Sequence, residues 1–250
     1  MNPCVLFTVF NRTNPLRINI KVLKKYAGID IPIIISTNYE DFLDSDYEGC
    51  HIVKNEISDN DRGSSEKKHQ GELDNIINGL HYAKSLGYDW VFKITGDEFI
   101  FVENWLSDTI HNTFKINNNG VLYVPNASNH QFPTYFLSQV FFLSKLGIRN
   151  MLAMRTDIFG INVDFALNGG LPREISPQFN CPESTFFAHI SKIYPPVFSP
   201  WWLLGNAGYY AGKKYLLNDY IFHSHDKYLT KKALIRTGNE QLLSGIRAYK

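Results

Sequence analysis

Short apolar runs alternate with stretches of helical spacing along the first half of this chain. Cys4 to Phe10 is a nearly unbroken apolar run and reads as a first buried strand. Asn11 to Pro15 follows as a loop, and Pro15 suits the opening turn of a helix. Leu16, Ile20, Leu23 and Ala27 then recur with helical period, and Gly28 closes the segment as a C-cap glycine does. Ile31 to Ser36 is a second apolar strand ending at Thr37-Asn38. This strand–helix–strand order predicts parallel neighbours joined by a right-handed crossover.

The alternation continues with a third strand at His51 to Lys54 and a polar loop from Asp59 to His69. Leu73, Ile76, Ile77, Leu80, Ala83 and Leu86 mark one face of a helix stopped by Gly87. A strand begins at Trp90. The second half is less regular. Helices are predicted over Phe101 to Phe114 and Lys145 to Met154, and strands over Gly120 to Val124 and Val140 to Leu143. Phe159 to Phe179 reads as an irregular loop. A helix carrying Phe186, Phe187, Ile190 and Ile193 follows and stops at Pro195-Pro196. Tyr220 to Phe222 is strand-like, and the tail around Lys231 and Lys232 reads as an exposed helix. The expected class is α/β, with one domain over residues 1–250. Residues 1–125 form its ligand-binding half, and residues 126–250 a second half with a C-terminal extension.

Composition narrows the function. With 250 residues, 44% hydrophobic and 20% charged, the chain can bury a sizeable core. A formal net charge of +1 lacks the basic excess of a general nucleic-acid binder. Cys4, Cys50 and Cys181 have neither zinc spacing nor the even count of a disulfide framework, so a reducing, cytoplasmic setting is expected. No signal peptide and no transmembrane segment is evident, while a peripheral membrane contact stays open. Neither the phosphate-binding P-loop nor the dinucleotide glycine fingerprint is present.

The strand from Trp90 ends abruptly in Thr95-Gly96-Asp97-Glu98. Ligands of open α/β sheets gather outside the carboxyl ends of the strands, and two acidic groups there suit a divalent cation that holds phosphates. The element order resembles the GT-A-type glycosyltransferases: an N-terminal βαβ half, then a helix leading to a strand that ends in an Asp-x-Asp motif. Thr95, Gly96 and Asp97 align with the three motif positions, so Thr95 stands where the first acid belongs. The resemblance implies a GT-A-like, mostly parallel central sheet flanked by helices, a nucleotide-diphosphate sugar donor, and Mn²⁺ or Mg²⁺. Asp97 would be the main metal ligand and Glu98 a second or water-mediated one.

The resemblance also assigns the loops. Thr8, Phe10, Asn11 and Arg12 after the first strand, and Asn38 after the second, would meet the nucleotide, with Arg12 able to fork onto a phosphate. Gln70 would offer helix N-terminal N–H groups to it. Glu183 follows Pro182 at the start of a helix, where the dipole favours the ionised form, and is the expected catalytic base. Trp201, Trp202 and Tyr209 offer apolar faces to an acceptor sugar. Alternation puts His223 and His225 on one side of an extended segment, from which either would complete the cation site. Lys227 would sit near the diphosphate.

The expected activity is therefore transfer of a hexose or pentose to a hydroxyl of a glycan or glycoconjugate, in the building of a surface or glycoprotein glycan. Inversion is preferred because a base is identifiable and a nucleophile is not. Two alternatives remain open: a nucleotidyltransferase, and a degenerate glycan-binding protein of the same fold.

Overall fold

The structure, a computed structural model, describes residues 2–9, 13–39, 41–56, 70–116, 121–125, 136–153, 221–223 and 227–244. Its centre is a six-stranded sheet made of β1 (Pro3–Val9), β2 (Ile33–Thr37), β3 (His51–Lys54), β4 (Trp90–Thr95), β6 (Val121–Pro125) and β7 (Phe136–Ser144), in the order β3-β2-β1-β4-β7-β6. The first four are parallel to one another. β7 runs antiparallel to β4, and β6 antiparallel to β7. The expected mixed, mostly parallel sheet is what forms. β5 (Glu98–Ile100) pairs instead with β8 (Ile221–His223) in a small antiparallel ribbon.

Helices cover both faces of the sheet, which is why its central strands are mostly apolar on both sides, Lys93 and the strand-end hydroxyls apart. Val5, Phe7, Ile33, Ile35, Phe92 and Ile94 face one core, shared with α1 (Thr13–Tyr26), α3 (Trp105–Ile116) and α5 (Lys227–Arg236). Cys4, Leu6, Ile34 and Val91 face the other, shared with α2 (Gln70–Ser85) and α4 (Lys145–Leu152). Each fully buried Leu, Ile or Phe in these layers contributes ~1.5–3 kcal/mol. Part of the aromatic surplus lies here too: Trp90 stacks on Phe142 with centroids 5.0 Å apart, and Phe92 lies 4.4 Å from Trp105. Burial pushes the thiols of Cys4 and Cys50 up, which keeps both in the unreactive protonated form at neutral pH.

The helix expected from Phe101 begins at Trp105 instead, after Asn104 with a φ of 59°. Phe99, Ile100 and Phe101 are buried, and β5 takes the first two into the ribbon with β8. That partner lies some 120 residues downstream and leaves no local signal. Elsewhere the elements lie within a few residues of expectation. Pro15 occupies the first turn of α1, where a missing N–H costs nothing, and α2 starts at Gln70, one turn before the apolar stripe at Leu73. β7 is longer than expected, reaching back to Phe136. The irregular loop at 159–179 and the helix at 186–193 lie outside the described residues. Among the described residues, no helix is long and apolar enough to cross a membrane.

Candidate active site

The path of the chain through the sheet locates a crevice. From β1 the chain crosses one face through α1 to β2, and from β3 it returns over the other face through α2 to β4, which lies on the far side of β1. β1 and β4 are thus adjacent strands whose connections leave in opposite directions, and ligands of open α/β sheets bind at such a reversal. The carboxyl ends of these two strands carry Thr8, Thr95, Asp97 and Glu98.

Thr8 and Thr95 are register partners, so they stand side by side on the α2 face of the sheet. Both hydroxyls are buried and find no hydrogen-bond partner among the described residues. A buried hydroxyl without a partner costs ~1–3 kcal/mol, so a pair of them at a strand end calls for an explanation, and hydrogen bonds from a ligand would supply one. One layer below, in the same row of side chains, Lys93 is fully buried. Its Nζ lies 3.6 Å from Glu72 Oε1, in the first turn of α2, and 5.8 Å from the centre of the Phe141 ring. The ion pair ties the start of α2 to β4.

Asp97 and Glu98 are 6% and 3% exposed, a degree of burial that carboxylates tolerate only with compensating partners. Their turn packs against β1 and α1. The Gly96 N–H donates to Thr8 O at 3.3 Å, and a Cβ on Gly96 would stand 3.0 Å from Val9 Cγ2 and 3.4 Å from Leu16 Cβ. Beneath it, the side-chain amide of Asn19 reaches the turn's carbonyl oxygens. Register places His223 opposite Glu98 in the β5–β8 ribbon, so the C-terminal segment does return to the acidic turn.

A second polar cluster lines the ends of β1, β2 and β3. The Asn75 amide donates to Asn38 Oδ1 at 3.1 Å and to Val9 O at 3.4 Å. Asn55 donates to Asn75 Oδ1 at 2.6 Å and to Ser36 Oγ at 2.9 Å, and Asn78 donates to Asn55 Oδ1 at 2.9 Å. Chained amides of this kind leave little play in the strand ends they connect.

Among the expected site residues, Thr8, Asn38, Thr95, Asp97 and Glu98 thus lie along one edge of the sheet, with the backbone of His223 beside them. Gln70 is the first residue of α2. Lys227 is exposed at the first turn of α5. Phe10, Asn11, Arg12, Glu183, Trp201, Trp202, Tyr209 and His225 lie outside the described residues. Sequence reasoning missed Asn19, Asn75 and the Lys93–Glu72 pair. Asn19 and Asn75 were detectable in principle, since each is a polar residue next to the apolar stripe of its helix.

Among the described residues, no three His, Cys, Asp or Glu groups converge to hold a metal ion. The donors that are described at the turn, carboxylate and hydroxyl oxygens, are those that Mg²⁺ and Mn²⁺ take. The described residues thus fit such a cation only as part of its ligand set.

No protein-family profile matches the chain, and no characterised protein matches it by sequence. Solved structures do resemble it in fold. Mouse xyloside xylosyltransferase 1 in its apo form superposes with a TM-score of 0.46 at 11% identity, over 80% of this chain and 84% of that one. A nucleotide-diphospho-sugar transferase from Desulfovibrio desulfuricans G20, so described provisionally, gives 0.42 at 12%, over 77% and 76%. An active-site mutant of LgtC gives 0.42 at 10%, over 74% and 69%. These overlaps all fall below a TM-score of 0.5, so the function is read from the residues of the crevice.

Proposed function

We propose that this chain is a glycosyltransferase that moves a hexose or pentose from a nucleotide-diphosphate sugar to a hydroxyl of a glycan or glycoconjugate. The observation that carries the reading is the pairing of the buried Asp97-Glu98 turn with the hydroxyls of Thr8 and Thr95, which have no partner among the described residues, at the point where the sheet's connections reverse. Asp97 and Glu98, with His223 or His225, would hold Mn²⁺ or Mg²⁺. Such a cation supplies positive charge to the diphosphate leaving group. Thr8 and Thr95 give or accept hydrogen bonds from the donor, and Asn38 closes the nucleotide side of the crevice. Glu183 is proposed as the base that takes the acceptor's proton, with inversion at the sugar. Trp201, Trp202 and Tyr209 are proposed as the acceptor platform.

The test is donor hydrolysis or transfer across a panel of nucleotide-diphosphate sugars, with Mn²⁺, Mg²⁺ or excess chelator. Activity is expected with metal and is expected to disappear in Asp97→Ala. Full activity in chelator would remove the metal role, and release of pyrophosphate would indicate nucleotidyl transfer instead. The neutral Thr95 favours one further reading, a glycan-binding protein that has lost catalysis. Calorimetry separates it: metal-dependent donor binding belongs to the transferase, and binding of free glycan without donor affinity belongs to the lectin.

A further inference from the structure

The turn that carries Asp97 and Glu98 is fastened by a side chain from a different element. Asn19, on α1 and 1% exposed, directs its side-chain amide at three carbonyl oxygens: those of Thr95 and Gly96 at 3.3 Å each, and of Glu98 at 2.6 Å. A primary amide has two N–H donors, so the three acceptors share two hydrogens and the Glu98 bond is the shortest. The carbonyls lie on both sides of Asp97. The Gly96 oxygen belongs to the peptide that enters Asp97, and the Glu98 oxygen to the one that leaves Glu98. Holding both restrains the backbone rotations that would carry the Cβ atoms of Asp97 and Glu98 out of place. From the other side, Thr8 O accepts the Gly96 N–H, and Leu16, one turn before Asn19, fills the space against Gly96. The turn is therefore held by α1 below and β1 beside it.

We infer that Asn19 is a positioning residue for the Asp97 and Glu98 carboxylates, holding them in the arrangement that binds a divalent cation. The inference rests on the metal-dependent function proposed above. Asn19 makes these bonds to backbone and acts through the turn. Residues that orient metal ligands typically cost ten- to a hundredfold in metal affinity when removed.

The experiment titrates the full chain with Mn²⁺ alone and follows the free-ion electron paramagnetic resonance signal, so it needs no catalysis. Asn19→Ala removes the amide. Asn19→Leu keeps the branched shape without a donor, and Met151→Ala serves as a control that loosens buried packing on α4 away from the turn. Circular dichroism and cooperative melting select the variants that fold, and either Asn19 variant suffices. The wild type and Met151→Ala are expected to bind alike, while the Asn19 variants lose about tenfold or more. Equal binding by wild type and a folded Asn19 variant would overturn the inference alone. An equal loss in Met151→Ala would do the same, because general loosening would then explain the effect. A wild type that binds no Mn²⁺ would overturn the metal reading, and this inference with it.

Discussion

At Thr8 and Thr95 stability and the proposed donor binding pull in opposite directions. Each keeps a hydroxyl buried at the strand end with no described partner, and burying it unpaired costs the folded chain ~1–3 kcal/mol. Replacing either by Val preserves shape and removes the unpaired group. Thr8→Val should therefore melt at a higher temperature than the wild type, by an amount reflecting ~1 kcal/mol. It should also lose affinity for a nucleotide-diphosphate sugar, because the ligand loses a hydrogen-bond partner. Differential scanning calorimetry and donor titration on one preparation measure both. A more stable variant that binds donor as well as the wild type would show that the hydroxyl does not meet the ligand. Thr95 was legible in the sequence as the residue standing in for an acid. Its lack of a partner was not, because register with Thr8 is a property of the sheet.

α2 shows how closely an element must sit for the crevice to form. Gly79 faces the sheet, and a Cβ there would stand 2.5 Å from Leu6 Cδ1 and 3.2 Å from Ser36 Cβ. The helix approaches β1 and β2 this closely only because the position has no side chain, and the approach brings Asn75 to Asn38 and Glu72 to Lys93. Gly79→Ala is expected to cost ~1–3 kcal/mol as Leu6 and the helix shift apart, measurable as a lower urea midpoint with an unchanged slope. The strand–helix alternation that places α2 was readable from apolar spacing, because Ile76, Leu80 and Ala83 turn towards one core. The polar contacts at its start were not. Lys93 sits in the middle of an apolar strand run, and only the fold reveals that Glu72 meets it.

Across the whole molecule, the least legible feature is the return of the C-terminal segment to the first helix. β8 pairs with β5, α5 follows, and Gly238 with a φ of 71° closes that helix. The N–H of Gly238 bonds Ile235 O at 3.0 Å, and that of Asn239 bonds Leu234 O at 2.7 Å, a Schellman closure that needs the left-handed residue. Asn239, fully buried, then fastens the segment to the end of α1. Its Oδ1 accepts from Lys25 Nζ at 2.6 Å, its amide reaches the Tyr26 hydroxyl at 2.9 Å, and it also donates to Thr237 O at 3.0 Å. Nothing in apolar spacing joins residues more than 200 positions apart, so this clasp was invisible where the local elements were not. It bears on function because the fastened segment carries the strand that sets His223 opposite Glu98. Asn239→Ala leaves the Tyr26 hydroxyl and the end of α5 without their buried partner and should cost ~1–3 kcal/mol in urea unfolding. If His223 or His225 serves the cation, the same variant should bind Mn²⁺ more weakly while remaining folded. Unchanged Mn²⁺ affinity in an Asn239→Ala protein that has lost that stability would place the cation on Asp97 and Glu98 without help from the C-terminal segment.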